Sequence, residues 1–192
     1  MRDHLYNLIR ASYSQAEAER YFAFDSARAN LKNVASIGSE VLVQLSPMAS
    51  ACAPMTAVWV TLIQKRLGVP AYCVAGDLIV EGRIIFGGMS DTELATAFDK
   101  SNSSLDGHCW LGFGEYVGDL SVFRTAYLPQ GPKTLLKVVL EKFGPGKGLL
   151  LCTGQDAANA GLKYVPKYVL TQAQLNGLLG GAYETFAPRK PA

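Results

Sequence analysis

The segment from Ala53 to Leu67 has every mark of a helix, and what flanks it on either side sets the fold class. Pro54 suits a first turn, where a missing N–H costs nothing. Val58, Leu62 and Ile63 make an apolar stripe with Trp59 beside it. Lys65 and Arg66 complement the dipole in the last turn, and Gly68 is placed to end it. Upstream the chain is predicted helical. Leu5, Leu8 and Ile9 recur at helical spacing, and Ser14 with Glu17 forms a capping box. This stretch runs through Tyr21, Phe22, Leu31 and Val34, breaks near Asp25 and Ser26, and stops around Gly38. A short extended run, Val41 to Leu45, follows.

Downstream the chain is mostly strand. Ala71–Val80 and Arg83–Phe86 flank a turn at Glu81-Gly82; His108–Phe113 and Tyr116–Phe123 form a second pair; Leu149–Cys152 and Leu162–Leu170 come last. Between them lie predicted helices at Ser90–Phe98 and Thr134–Phe143, a polar loop at Asn102–Gly107, and the turn-rich Gly144-Pro145-Gly146-Lys147-Gly148. A last helix, Thr171–Leu179, carries a capping box at Thr171 and Gln174, and the tail from Pro188 to Ala192 should fray. Helices at the front and a meander of strands behind predict an α+β fold with an antiparallel sheet. No repeat or linker divides the 192 residues, so they are expected to form one domain.

Composition narrows the function classes. The chain is 49% hydrophobic and 18% charged, apolar enough for a full core. Its net charge of +2 comes without a basic run, so nucleic acid is not an expected partner. No stretch reaches the roughly 18 apolar residues of a membrane span, and the N-terminus lacks a signal-like core, so the expected location is the cytoplasm. The four cysteines, Cys52, Cys73, Cys109 and Cys152, show no zinc spacing and are expected as free thiols. With His4 and His108 the only histidines, neither a metal site nor a cofactor is expected.

Cys52 stands at the head of the Ala53–Leu67 helix, where the dipole and free N–H groups favour a thiolate. Gly114-Glu115 fits a two-residue type II′ hairpin turn. That turn pairs Phe113 with Tyr116 and Trp110 with Asp119, so His108 shares a face with Asp119 as its diagonal neighbour. The roles follow from the chemistry: Cys52 as nucleophile, His108 as base, Asp119 as the group that orients the ring. Asp106 and Glu115 are the poorer placed alternatives to Asp119. The backbone N–H of Cys52 is one candidate oxyanion donor, and Trp110 a candidate wall of the substrate groove.

Cys52 leading a helix, then LGVPAYCVAGDLIV (67–80), GHCWLGF (107–113) and GDLSVF (118–123), resembles the transglutaminase-like core. That core is shared with arylamine N-acetyltransferases and, more distantly, papain-like peptidases. The chain also resembles a small bacterial family of unknown function with a cysteine-proteinase-like fold. The resemblance covers about residues 44–125 and matches Cys52, His108 and Asp119 to nucleophile, base and orienter. It further suggests the Gln44 side chain as an oxyanion donor, as in papain-like sites. It implies a hydrolase or acyltransferase acting through an acyl-thioester on an amide, peptide or other acyl substrate. An acyl-CoA-dependent transferase is one variant, and a binding protein that keeps the fold without the chemistry is the alternative.

Other signals are assigned to structure. GPGKG at 144–148 lacks phosphate-loop spacing and is a helix stop. Cys73 and Cys152 fall in apolar strands, and Cys109 alternates to the face opposite His108. Lys163, Tyr164, Lys167 and Tyr168 are expected on a solvated strand face.

Overall fold

The computed structural model describes residues 2–26, 29–45, 51–99 and 106–186. In chain order its elements are α1 (Arg2–Ser12), α2 (Gln15–Ala23), α3 (Leu31–Gln44), α4 (Cys52–Leu67), β1 (Tyr72–Val80), β2 (Arg83–Phe86) and α5 (Asp91–Asp99). Then come β3 (His108–Phe113), β4 (Tyr116–Asp119), α6 (Val122–Tyr127), α7 (Lys133–Lys142), β5 (Leu150–Thr153), α8 (Gly154–Asn159), β6 (Leu162–Val169) and α9 (Gln172–Phe186). The fold is α+β, as expected. The six strands among the described residues pair antiparallel in one open sheet. No helix among the described residues is long and apolar enough to cross a membrane.

Strand β1 is the axis of the sheet. Residues 74–76 pair with both β3 and β6, which must therefore lie on opposite edges. β2 takes the end of β1 beyond β3, and β4 and β5 extend the sheet outward from β3. Because β1 is covered on both faces, its alternation is apolar on both. Tyr72, Val74, Leu78 and Val80 enter one core, and Cys73 and Ala75 the other. Helices α3, α4 and α9 pack on the Cys73 face, while α1, α2, α6, α7 and α8 cover the Tyr72 face.

The capping box at Thr171 and Gln174 forms in full, and at Ser14 only the first of its two bonds forms, the Glu17 carboxylate accepting instead from Arg20 and Tyr72. Glu17 N–H donates to Ser14 Oγ at 3.2 Å, Gln174 N–H donates to Thr171 Oγ1 at 3.3 Å, and Thr171 N–H donates to Gln174 Oε1 at 3.0 Å.

Three expectations need correction. Gly38 does not stop α3, and Val41 to Gln44 are its last turns rather than an extended run. Gly38 is buried inside the helix because a Cβ there would lie 2.9 Å from the Trp59 ring. The strand predicted to reach Phe123 ends at Asp119, because the Asp119 side chain takes up the next backbone N–H groups and turns the chain into α6. Helix α8 was not foreseen; Thr153 caps it by accepting from Asp156 N–H. Most of the predicted polar loop (residues 102–105) and the tail at 188–192 lie outside the described residues.

Candidate active site

Trp59 sets where Cys52 can sit. Its ring lies against both Gly38 of α3 and Gly118 of β4; a Cβ at Gly118 would come within 2.6 Å of it. Its indole N–H donates to Val34 O at 3.0 Å. These contacts hold α4 between α3 and the sheet. Cys52, Thr56 and Trp59 share one helix stripe, so Cys52 lies roughly 10 Å along the axis from that wedge. Thr56 Oγ1 donates to Cys109 O at 3.3 Å, which fastens the first turn of α4 to the start of β3. Ala51 offers no side-chain cap, so the thiol of Cys52 meets the uncapped positive end of the helix.

His108 and Asp119 come from the hairpin. The observed pairs are Phe113 with Tyr116, Gly112 with Val117 and Leu111 with Gly118, the register predicted from a two-residue turn. Gly114 takes φ 54° in that turn, where a side chain would be strained. Continued by one step, this register sets Trp110 opposite Asp119 and His108 diagonal to it. His108 Nε2–H donates to Asp119 Oδ2 at 2.5 Å. This leaves Nδ1 as the ring nitrogen free to meet the Cys52 thiol, whose nearness helps to raise the His108 pKa.

Asp119 is fully buried and accepts five hydrogen bonds. Oδ1 takes Ser121 N–H at 2.8 Å, Ser121 Oγ–H at 2.9 Å and Val122 N–H at 2.9 Å. Oδ2 takes His108 and also the hydroxyl of Tyr164, at 2.9 Å. Burial alone would raise its pKa, but the His108 charge and the Ser121 donors hold the carboxyl below the usual range. Burial likewise opposes a charged His108, yet Asp119, with help from Cys52, pushes its pKa up to about 10. Hydrogen bonding from Cys109 and from His108 outweighs burial at Cys52, whose thiol is held well below its ordinary value. Each of these shifts favours the charged form of its group. Cys52 is 9% exposed, His108 3% and Asp119 0%.

Tyr164 was read as part of a solvated strand face, and that is corrected. It is buried, packed on the Trp110 ring with centroids 5.2 Å apart, and bonded to the carboxylate. The usable signal was alternation: Leu162 and Tyr164 face inward, between exposed Lys163 and half-buried Val165. Lys167 is only partly solvated. A register shift in β6 turns it onto Asp77, with an ion pair of 2.9 Å. Cys73 and Cys109 are buried and Cys152 half-buried; Asp106 and Glu115 are exposed.

Trp110 is 3% exposed and stacks at 6.3 Å from the His108 ring, on the face opposite α4. It lines a cavity of about 590 Å³ beneath α1 and α2. A second depression, about 450 Å³, is bordered by Phe86, Met89, Asp106 and Gly107. Phe86 also stacks on His108 at 5.6 Å, so this depression adjoins the imidazole. Gln44 ends α3 and is exposed. Arg124 of α6 donates to Leu42 O and, at 2.9 Å, to Leu45 O, tying down the end of α3. Among the described residues no group of three His, Cys, Asp or Glu is arranged to hold a metal ion. Compared with family models, curated proteins and solved structures, the chain shows no match.

Proposed function

We propose that this chain is a thiol enzyme of transglutaminase-like, cysteine-proteinase fold, acting on an amide, peptide or other acyl substrate through a Cys52 acyl-thioester. The observation that carries the reading is His108 held between Cys52 and a carboxylate with five donors. In the reaction the Cys52 sulfur attacks the acyl carbon while the Cys52 backbone N–H meets the developing oxyanion. His108 passes its proton to the leaving amine or alcohol as the bond breaks. Water or an acceptor amine, deprotonated by His108, then attacks the thioester and frees the thiol. Asp119 keeps the ring in the useful tautomer and balances its charge throughout. Gln44 is the side-chain candidate for a second oxyanion donor, and Trp110 for a wall of the substrate site.

The test is a pair of measurements. Iodoacetamide should label Cys52 with a pH midpoint well below that of a free thiol, about 8.5. The Cys52→Ala protein should lose all turnover on a panel of peptide, isopeptide and acyl-thioester probes. Labelling of Cys52 no faster than Cys73, with turnover intact in Cys52→Ala, overturns the assignment. The burial of Cys52 and His108 favours a second reading, a binding protein whose triad is idle. It requires no turnover on any probe, at whatever rate Cys52 is alkylated.

A further inference from the structure

Cys52 has a second thiol neighbour that acyl transfer does not use. Cys109 follows His108 on β3 and turns to the opposite face, into the core beneath α4. Thr56, one turn along from Cys52, donates to the Cys109 carbonyl at 3.3 Å, so the first turn of α4 is fastened to that residue. The Cys52 and Cys109 side chains enter the same core beneath α4, close enough that each thiol shifts the pKa of the other. Cys109 is 0% exposed and Cys52 9%, so of the two sulfurs Cys52 is the one a small reagent meets first. Cys73 is the diagonal neighbour of Cys109 across β1 and β3 and faces the same core.

We infer that Cys52 and Cys109 form a dithiol pair that a hydroperoxide converts to an intramolecular disulfide, reversibly silencing the nucleophile. This rests on the reading of Cys52 as the reactive sulfur. In the first step the Cys52 thiolate attacks the near peroxide oxygen and the O–O bond breaks. The far oxygen leaves as alcohol or water with a proton from His108, and Cys52 becomes a sulfenic acid. In the second step Cys109 sulfur attacks the sulfenic sulfur and displaces hydroxide, which leaves as water with the Cys109 proton. Overall two thiols and one hydrogen peroxide give one disulfide and two waters, the peroxide being the oxidant. A thiol reductant then enters at the more accessible Cys52 sulfur.

The full chain is treated with one equivalent of hydrogen peroxide near neutral pH and quenched with N-ethylmaleimide in denaturant. Digestion without reductant should yield a Cys52–Cys109 cross-linked pair, two hydrogens lighter than the dithiol and reopened by dithiothreitol, while Cys73 and Cys152 carry maleimide. A Cys52 that alkylates rapidly with iodoacetamide yet appears only as sulfinic acid, with Cys109 carrying maleimide, overturns the pair and leaves the enzyme reading standing. A cross-link forming in a protein whose Cys52→Ala variant keeps full turnover retains the pair and removes the enzyme reading. In Cys109→Ala, peroxide should destroy alkylatable Cys52 irreversibly, roughly tenfold faster than in the parent chain under the same peroxide. Because the cross-link is measured on the unmodified chain, the inference stays falsifiable should that variant fail to fold.

Discussion

The two sides of the His108 ring are built by different means. On one side Asp119 lies eleven residues away across a tight hairpin, with its other donors mostly from the next three residues. On the other side Cys52 is brought by a whole helix, seated through Trp59 against Gly38 and Gly118. The first half is local chemistry and the second is packing at long range. The halves should therefore fail differently: the local one through electrostatics, the remote one through volume.

The largest effect should come from the electrostatic half. Asp119→Ala leaves the buried imidazolium without its carboxylate partner and four further donors without an acceptor. Removing one partner of such a buried pair costs about 3–5 kcal/mol. Chemical denaturation should show that loss, and Cys52 alkylation near neutral pH should slow as His108 gives up its proton. An Asp119→Ala protein with parental stability and fast alkylation would show that the carboxylate does not govern the ring.

That contrast also explains what the sequence disclosed. His108 and Asp119 could be paired because a two-residue Gly-Glu turn leaves one register and therefore one face. Tyr164 could not, since β6 reaches Asp119 only after 45 residues and its partner strand is β1, not the hairpin. The β-branched run at Val41 and Val43 suggested a strand, and tertiary packing of α3 on α4 overrode it. Gly38 suggested a helix end, although its absent side chain serves the Trp59 ring. Nothing in a single chain marks which glycine faces which aromatic ring. The end of β4 was missed because Leu120, Val122 and Phe123 are apolar in strand or helix alike, and the Asp119 side chain decides between the two.

The packing half should break by volume. In Gly118→Ala the new methyl would sit 2.6 Å from the Trp59 ring, and the rigid indole is held by its bond to Val34 O. Overpacking of this kind costs about 1–3 kcal/mol. The hairpin register, and with it the His108–Asp119 bond, should persist, while α4 shifts and Cys52 loses its low pH midpoint of alkylation. NMR can separate the two: the His108 ring proton on Asp119 should stay in place as the thiol becomes ordinary. Loss of both signals together would mean that the two sides of the ring are one cooperative unit.

The smallest change tests whether the local half is closed on itself or needs β6. Tyr164→Phe removes only the hydroxyl that donates to Asp119 Oδ2 at 2.9 Å and keeps the ring that packs on Trp110. Four donors remain on the carboxylate, so the cost should be near the low end for a bond to a charged group, about 1.5 kcal/mol. For a chain of this length that is roughly 3–6 °C in Tm. The pH dependence carries the sharper sign. Asp119 is held below the usual carboxylate range, so its contribution is present above the unfolded value and lost as pH falls through the folded one. Taking a donor from the charged form raises that folded value, and the acid loss of stability should start at higher pH in the variant. His108 has the opposite sign: its contribution is full below its unfolded value of about 6.5 and lost as pH rises through about 10. Tyr164 touches the carboxylate rather than bonding to the imidazole, so the alkaline limb should stay where it is. Thermal melts from pH 3 to pH 11 read both limbs at once. An acid limb that does not move means Ser121 and Val122 hold the carboxylate alone, and the site's local half ends at the hairpin and the turn that follows it.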